Sequence, residues 1–110
     1  MQKITKFSPL TEVMYYILLA MLDPLHGYGV IKKVEVFSGG RVKLAAGTLY
    51  GAVSSLLSNG LIVLIGEDAQ NKRRKLYQTT DIGRELLAYE IKRLEDLARC
   101  GNGALEDYNE

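Results

Sequence analysis

The spacing of apolar residues over the first half of the chain predicts three α-helices. In residues 8–23 the apolar positions recur three and four apart, which predicts a helix that begins at Ser8-Pro9 and ends before Asp23-Pro24. Tyrosines also make its opposite side apolar, so we expect it to be covered on more than one side. A second helix is predicted over Gly27–Phe37 and a third over residues 46–59.

After residue 60 the pattern becomes that of short β-strands. The segments "LIVLI" (61–65) and "RKLYQTT" (74–80) predict two strands, with Leu76 facing inward, and the polar segment between them predicts a hairpin. A lone hairpin is marginally stable, so this one is expected to pack on the helices. The basic link "RVKL" (41–44) is a candidate for an additional minor strand.

A fourth helix is predicted over residues 81–100, with Thr80 as its N-cap. Leu87, Ile91, Leu94 and Ala98 are spaced four, three and four residues apart, which is typical of a heptad-like seam. One side of this helix can pack on its own domain, and the other is expected to need a partner chain. The last ten residues contain glycine and acidic residues and are predicted to be frayed.

The outer face of the third predicted helix carries small side chains, among them Thr48, Ser54 and Ser55, with Tyr50 at its border. This helix has no Glu, Lys or Arg, the residues that more often stabilise an exposed helix. A helix that reads a DNA groove must approach bases and phosphates closely, and small hydroxyl residues suit such an approach. The alternative is a polar helix surface without a ligand.

The predicted hairpin has a basic tip, "NKRRK", which places Lys72, Arg73, Arg74 and Lys75 together. Alternate residues of a strand point to opposite sides, so two or three of these cations can reach a DNA backbone. A solvated hairpin end is the alternative. The order of elements predicts a mainly α (α+β) fold: a winged helix-turn-helix with a two-stranded β wing and a C-terminal dimerisation helix.

Composition narrows the function classes. Residues 1–80 hold 10 Lys and Arg against 5 Asp and Glu, whereas residues 81–110 hold 4 against 8, so the two parts are expected to face different partners. With one cysteine and one histidine, we expect neither a disulfide within the chain nor a metal site. His26 is interpreted as a capping or packing residue. No catalytic motif or cofactor motif is present, and the expected location is the cytoplasm.

Several motifs together resemble one family. The segments "LTE", "HGYG", "GTLYGAV" and "GLI", followed by the basic wing and "TTDIGRE", occur in order over residues 8–88. They are similar to those of the PadR family of bacterial transcriptional regulators. The single C-terminal helix resembles the small subfamily that includes the lactococcal multidrug-binding regulator. The resemblance implies a homodimeric repressor of dyad-symmetric operator DNA, in which the C-terminal helix packs against the partner subunit.

The resemblance also implies a small hydrophobic or aromatic effector that releases the DNA. In the multidrug-binding member, drugs stack between tryptophans at the dimer centre, but this chain has no tryptophan. Tyr15, Tyr16 and Tyr89 are the nearest substitutes, and the alternative is that they are ordinary core residues. The alternative function is a winged-helix module that binds a ligand or a protein but not DNA, which the sequence pI of about 7.8 leaves open.

The chain is therefore expected to consist of a winged-helix DNA-binding domain (1–79) and a C-terminal dimerisation helix with a frayed acidic tail (80–110). The residues predicted to contact DNA are Tyr28, Lys43, Thr48, Tyr50, Ser54, Ser55, Lys72, Arg73, Arg74 and Lys75. The residues predicted to form the dimer interface are Met14, Ile17, Leu18, Leu87, Ile91, Leu94 and Ala98.

Overall fold

A computed structural model describes residues 4–71 and 73–109 of the chain. A 3-10 turn at Ile4–Phe7 precedes the regular elements, which are α1 (Glu12–Ala20), α2 (Gly27–Phe37), α3 (Ala46–Ser58), β1 (Ile62–Glu67), β2 (Lys75–Thr79) and α4 (Asp81–Asn109). This order confirms the predicted winged helix-turn-helix with a two-stranded wing and a C-terminal helix. The bounds of α2 agree with the prediction, and α3 ends one residue early.

The core lies where the first three helices meet the base of the wing and the start of α4. The apolar residues that recur three and four apart on each helix face this point. Its fully buried aliphatic side chains are Ile17, Leu18, Met21, Val30, Val34, Leu49, Leu56 and Leu86. This core fixes the orientation of α3 relative to the wing.

The start of α1 differs from the prediction. The helix begins at Glu12, and the hydroxyl of Thr11 caps it by accepting a hydrogen bond from the Met14 N–H at 3.1 Å. Ser8 does not cap this helix. Its hydroxyl donates instead to the Glu90 carboxylate of α4 at 2.6 Å. The predicted start was wrong because Ser8 serves a long-range contact rather than a local one.

The wing is an antiparallel hairpin that is anchored to α1. Ile62 pairs with Thr79 and Leu64 with Tyr77, and the register shifts between Leu64 and Gly66. Thr79 donates from its hydroxyl to the Leu18 carbonyl at 2.8 Å, which ties β2 to α1. The hairpin therefore packs on the helices, as its marginal intrinsic stability requires.

Two details of the predicted wing are wrong. Tyr77 and Thr79 are the buried residues of β2, whereas Leu76 is half-buried, because the alternation of the strand runs one residue out of step with the prediction. Residues 41–44 do not form a strand. The additional strand contact comes from Leu25, whose backbone N–H and carbonyl both bond to Tyr77 at 3.0 Å.

The helix α4 begins as predicted and extends further than predicted. Thr80 caps it by accepting from the Gly83 N–H at 3.1 Å. A Cβ at Gly83 would lie 2.5 Å from the Leu61 carbonyl oxygen, so glycine lets α4 pack directly against the end of α3 and the wing. The helix continues to Asn109, and the predicted frayed tail was wrong. Single glycines cost a helix only about 1 kcal/mol each and did not end this one.

Candidate nucleic-acid interface

The helix α3 has one buried face and one open face, as its sequence predicts. Leu49, Val53 and Leu56 are buried in the core. Thr48, Tyr50, Ser54 and Ser55 are all exposed on the other side. A Cβ at Gly51 would meet nothing within 4 Å, so none of the described residues covers the helix at this position. Apart from Tyr50 at its border, the open face therefore carries small, polar and uncharged side chains.

The tip of the wing is a tight turn held by its own side chains. The Asp68 carboxylate accepts from the Gln70 N–H at 2.9 Å, and the Asn71 side-chain oxygen accepts from the Arg73 N–H at 3.0 Å. Arg73, Arg74 and Lys75 are exposed around this turn. The predicted contact Lys72 lies outside the described residues.

A cleft of about 420 Å³ separates the wing from the first turn of α2 and the side of α3. We call it the wing cleft, and it is lined by His26, Gly27, Tyr28, Tyr50, Arg73, Arg74, Lys75 and Tyr77. Five of the predicted DNA contacts thus lie together in one concave basic surface. Two exposed tyrosines, Tyr28 and Tyr50, face the cations of the wing across it.

The first glycine of "HGYG", Gly27, leaves space for the side chain of Tyr50. A Cβ at Gly27 would lie 2.9 Å from the Tyr50 hydroxyl oxygen and 3.2 Å from the Leu49 side chain. Glycine at this position therefore lets Tyr50 lie against the start of α2. On the outside of α2, the Lys32 ammonium lies 5.5 Å from the centre of the Tyr28 ring, in cation–π geometry.

The structure separates the other predicted contacts from the cleft. Thr48, Ser54 and Ser55 stand on the open face of α3 beyond its lining. Lys43 lies on the α2–α3 loop, where its ammonium pairs with the Glu35 carboxylate at 3.6 Å. His26 lines the cleft, yet sequence reasoning assigned it to capping or packing alone. Its place in "HGYG", two residues before the predicted DNA contact Tyr28, was the available signal.

Comparison with protein-family profiles matched residues 17–89 to the transcriptional regulator PadR-like family. That segment contains the whole of α2, α3 and the wing, and it is well over half of the chain. The chain belongs to the PadR-like family of transcriptional regulators. The predicted resemblance is confirmed, and membership of a family of regulators supports the prediction that the chain is not an enzyme.

Solved structures share this PadR-like fold. A PadR family transcription regulator from Clostridium difficile R20291 has a TM-score of 0.72 at 22% identity, covering 86% of this chain and 99% of that one. A PadR family transcriptional regulator from Eggerthella lenta DSM 2243 has a TM-score of 0.65 at 28% identity, covering 84% and 80%. Bordetella bronchiseptica BpsR, whose DNA binding is regulated by 6-hydroxynicotinic acid, has a TM-score of 0.64 at 20% identity, covering 84% and 65%. The comparison with curated protein sequences found no match.

The residues predicted to form the dimer interface of this PadR-like chain fall into two groups. Ile17 and Leu18 have 0% of their surface exposed and Leu87 has 3%, so they belong to the core of their own subunit. Their assignment to an interface was wrong, because a side chain that its own subunit covers has no surface left for a partner. Met14 is half-buried, and Ile91, Leu94 and Ala98 are exposed.

The exposed part of the seam continues beyond the predicted residues. Leu97 is 57% exposed, Leu105 62% and Tyr108 86%, although all three are large and apolar. Steps of three and four residues place them on one face of α4 with Leu94 and Ala98. We call this face the exposed stripe, and it consists of Leu94, Leu97, Ala98, Gly101, Leu105 and Tyr108.

One carboxylate is buried where α4 leaves the domain. Glu90 is 1% exposed and accepts hydrogen bonds from the Ser8 hydroxyl and the Leu10 N–H, both at 2.6 Å. Arg93 donates to both of its oxygens, at 2.8 and 3.0 Å. The Arg93 guanidinium, assisted by the Ser8 and Leu10 donors, lowers the pKa of Glu90 to about 2 against the penalty of burial.

A smaller cavity of about 280 Å³ lies beside this carboxylate, between α1 and α4. Its lining contains two of the tyrosines predicted to contact an effector, Tyr15 and Tyr16, together with Glu12, Leu94 and the Glu90–Arg93 pair. The third tyrosine, Tyr89, is exposed and does not line this cavity. The cavity thus opens next to the exposed stripe.

The described residues offer no cluster of three or more His, Cys, Asp or Glu side chains arranged to hold a metal ion. Among the same residues, no helix combines the length and the apolar character needed to cross a membrane.

Proposed function

We propose that this PadR-like protein is a homodimeric transcriptional repressor that binds dyad-symmetric operator DNA. In this proposal α3 lies in the major groove and the wing lies along the phosphate backbone. The observation that carries it is the wing cleft, where Arg73, Arg74 and Lys75 face Tyr28 and Tyr50 directly beside the open face of α3. A positive concave surface next to a small polar helix face has the shape and the charge that a duplex requires.

The open face of α3 is suited to the groove rather than to the backbone. Thr48, Ser54 and Ser55 can donate and accept hydrogen bonds at base edges, and they carry no charge that would have to be desolvated. The nearby cations stand on the wing and fit the phosphates. Base contacts from α3 would thus supply specificity, while the wing would supply sequence-independent affinity.

The exposed stripe supports a dimer. A single subunit leaves Leu97, Leu105 and Tyr108 in contact with water, and an isologous contact with the same stripe of a second copy would cover them. The heptad-like spacing of the stripe suits helix-on-helix packing. Two subunits related by a two-fold axis would present two copies of α3 to the two halves of a palindromic operator.

We also propose an aromatic effector at the cavity between α1 and α4. Tyr15 and Tyr16 supply the rings there, and the position next to the exposed stripe would couple occupancy of the cavity to the spacing of the two subunits. BpsR, which has the same fold, is a protein whose DNA binding is regulated by a small aromatic acid. A ligand that preferred a spacing incompatible with the operator would release the DNA.

The salt dependence of DNA binding tests the proposal. Fluorescence anisotropy with the duplex upstream of the protein's own gene should give an affinity that falls steeply between about 50 and 200 mM salt, because bound phosphates release counterions. Replacing Arg73 and Arg74 by Ala should reduce the log–log slope by nearly two per subunit, at about 0.9 for each lost phosphate contact. The matched control is Arg99→Ala, which removes an arginine that pairs with Asp96 on α4.

Two outcomes would contradict the proposal. If the double variant kept the wild-type slope while Arg99→Ala did too, the wing would have no part in binding. If the wild-type protein bound neither this duplex nor a scrambled one at low salt, the protein would be a winged-helix module with another ligand.

A further inference from the structure

The hydrogen bonds of His26 define which of its ring nitrogens carries a proton. His26 is the N-cap of α2, and its Nδ1 atom accepts a hydrogen bond from the Gly29 N–H at 3.0 Å. A backbone N–H can only donate, so Nδ1 must present a lone pair. A neutral imidazole with a free Nδ1 carries its proton on Nε2. The cap therefore makes Nε2–H a donor.

That donor points at another donor. The Nε2 atom of His26 lies 3.3 Å from an Nη1 atom of Arg74, which comes from the other wall of the wing cleft. A guanidinium has five N–H donors and no acceptor, so it cannot accept from Nε2–H. Two N–H groups thus converge, and among the described residues no acceptor bonds to both of them. An anionic oxygen that entered the cleft would satisfy both donors at once.

The surroundings favour an anion at this point. The wing cleft also contains Lys75, Arg73 and the Tyr50 hydroxyl, and none of its described lining residues is acidic. The Asp68 carboxylate lies 4.0 Å from the Nη1 atom of Arg74, and it is itself held in the turn of the wing. Arg74 therefore has a weak partner in Asp68 and also lines the cleft.

The presence of histidine at the N-cap also favours an anion-binding site in the cleft. Ser, Thr, Asn and Asp are the preferred N-cap residues, and each would accept the Gly29 N–H through a short side chain. Ionised Asp has no donor, Ser and Thr have a single hydroxyl, and the amide N–H2 of Asn lies on a shorter side chain than the imidazole Nε2. Histidine caps with one nitrogen and presents the other to the cleft, so it performs both tasks with a single rigid ring.

We propose that His26 Nε2–H and Arg74 together bind one phosphate of the DNA backbone in the wing cleft. This inference rests on the proposed function and adds a residue to it. The bound phosphate joins the first turn of α2 to the wing, and so it fixes the angle at which the wing meets the duplex next to α3.

The substitution His26→Asn separates the two tasks of the histidine. Asparagine retains an acceptor for the Gly29 N–H, so the melting temperature should stay close to that of the wild type. The affinity for the duplex should fall about tenfold to a hundredfold, as expected for a lost hydrogen bond to a charged group. The salt slope should not change, because the lost donor is neutral, whereas Arg74→Ala should lower it by about 0.9.

Nuclear magnetic resonance of the ring gives a second measurement that does not depend on a variant. His26 is the single histidine of the chain, so its ring nitrogens give one assignable set of signals. We expect a proton on Nε2 in the free protein and a downfield shift of that proton when the duplex is added. Inorganic phosphate at millimolar concentration is the comparison ligand.

The possible outcomes are distinct. A proton on Nδ1, or wild-type affinity in His26→Asn, would overturn the role of His26 while leaving DNA binding intact. A shift caused by inorganic phosphate and not by the duplex would overturn the assignment to the DNA backbone. Absence of any binding by the wild type would contradict the proposed function itself.

Discussion

The two halves of α4 show how one helical face behaves with and without cover. In the first half, Gly83, Leu86, Leu87 and Glu90 are buried against their own domain. In the second half the same face continues as the exposed stripe, and its large apolar side chains lie in water. The residue types hardly change along the helix. What changes is the presence of the domain, because α4 extends past α1 and the wing.

Two carboxylates of α4 show the same difference between a buried and an exposed site. Glu90 and Asp96 each pair with basic side chains three or four residues away on α4. Glu90 is buried and receives two further donors from the N-terminal segment, whereas Asp96 is exposed and has its pKa lowered by Lys92 and Arg99 alone. Solvent screens an exposed pair, so we expect the first carboxylate to stabilise the fold and the second to matter little.

A pair of leucine substitutions tests the difference between the two halves of α4, and it has the largest expected effect. Leu86→Ala should lower the free energy of unfolding by about 2–5 kcal/mol at every protein concentration, because it leaves a cavity in the core. Leu97→Ala should change the stability of the single subunit by less than about 0.5 kcal/mol. It should raise the dimer dissociation constant roughly tenfold, since it removes apolar area from the proposed contact.

Urea denaturation over a range of protein concentrations, with analytical ultracentrifugation, measures both quantities. Equal, concentration-independent losses at the two positions would mean that the second half of α4 is covered within one chain. A Leu97→Ala protein with an unchanged dimer constant would move the interface away from the exposed stripe.

Acid titration of the Glu90 site gives the next largest effect. Glu90→Gln keeps the shape and removes the charge, and it should cost roughly 3 kcal/mol at neutral pH, in line with a pKa lowered from 4.5 to about 2. Because the folded state lowers this pKa, the contribution is complete above about pH 4.5 and is lost as the pH falls through about 2. The difference between the two proteins should shrink over that window.

The control is the exposed carboxylate Glu95, whose replacement by Gln should leave the stability nearly unchanged. The measurement is urea denaturation at a series of pH values. A loss in Glu90→Gln that did not vary with pH would assign the effect to packing rather than to charge.

Features that depend on nearby residues could be predicted from the sequence, whereas features that depend on distant residues could not. Helix α2 and the end of α3 were predicted to within a residue, because His26 and Asn59-Gly60 are local signals that act within their own segments. The cations of the wing cleft were singled out from charge and order along the chain, whereas His26 was not. Local signals of this kind need no knowledge of neighbours.

The errors concern features that depend on distant parts of the chain. Ser8 looks like a helix cap, and its hydroxyl instead bonds to Glu90, 82 residues away. The predicted seam through Leu87 and Leu94 follows one face of the helix, but the spacing of apolar residues does not show where the domain stops covering that face. Leu87 is therefore core and Leu94 is surface, although both occupy equivalent positions in the repeat.

Two glycines in the second half of α4 give the smallest and sharpest test. Gly101 lies on the exposed stripe and Gly103 lies off it, and a Cβ at either position meets nothing within 4 Å in the single subunit. Replacing either by Ala should therefore stabilise the monomeric helix by the same amount, up to about 1 kcal/mol.

In the proposed dimer the two substitutions should differ, since a methyl group at Gly101 would enter the contact between the two helices, whereas one at Gly103 would remain in water. Gly103→Ala should raise the melting temperature, and Gly101→Ala should raise it less or weaken the dimer in ultracentrifugation. Identical gains at both positions would place the partner on another face of α4 and leave the stripe uncovered.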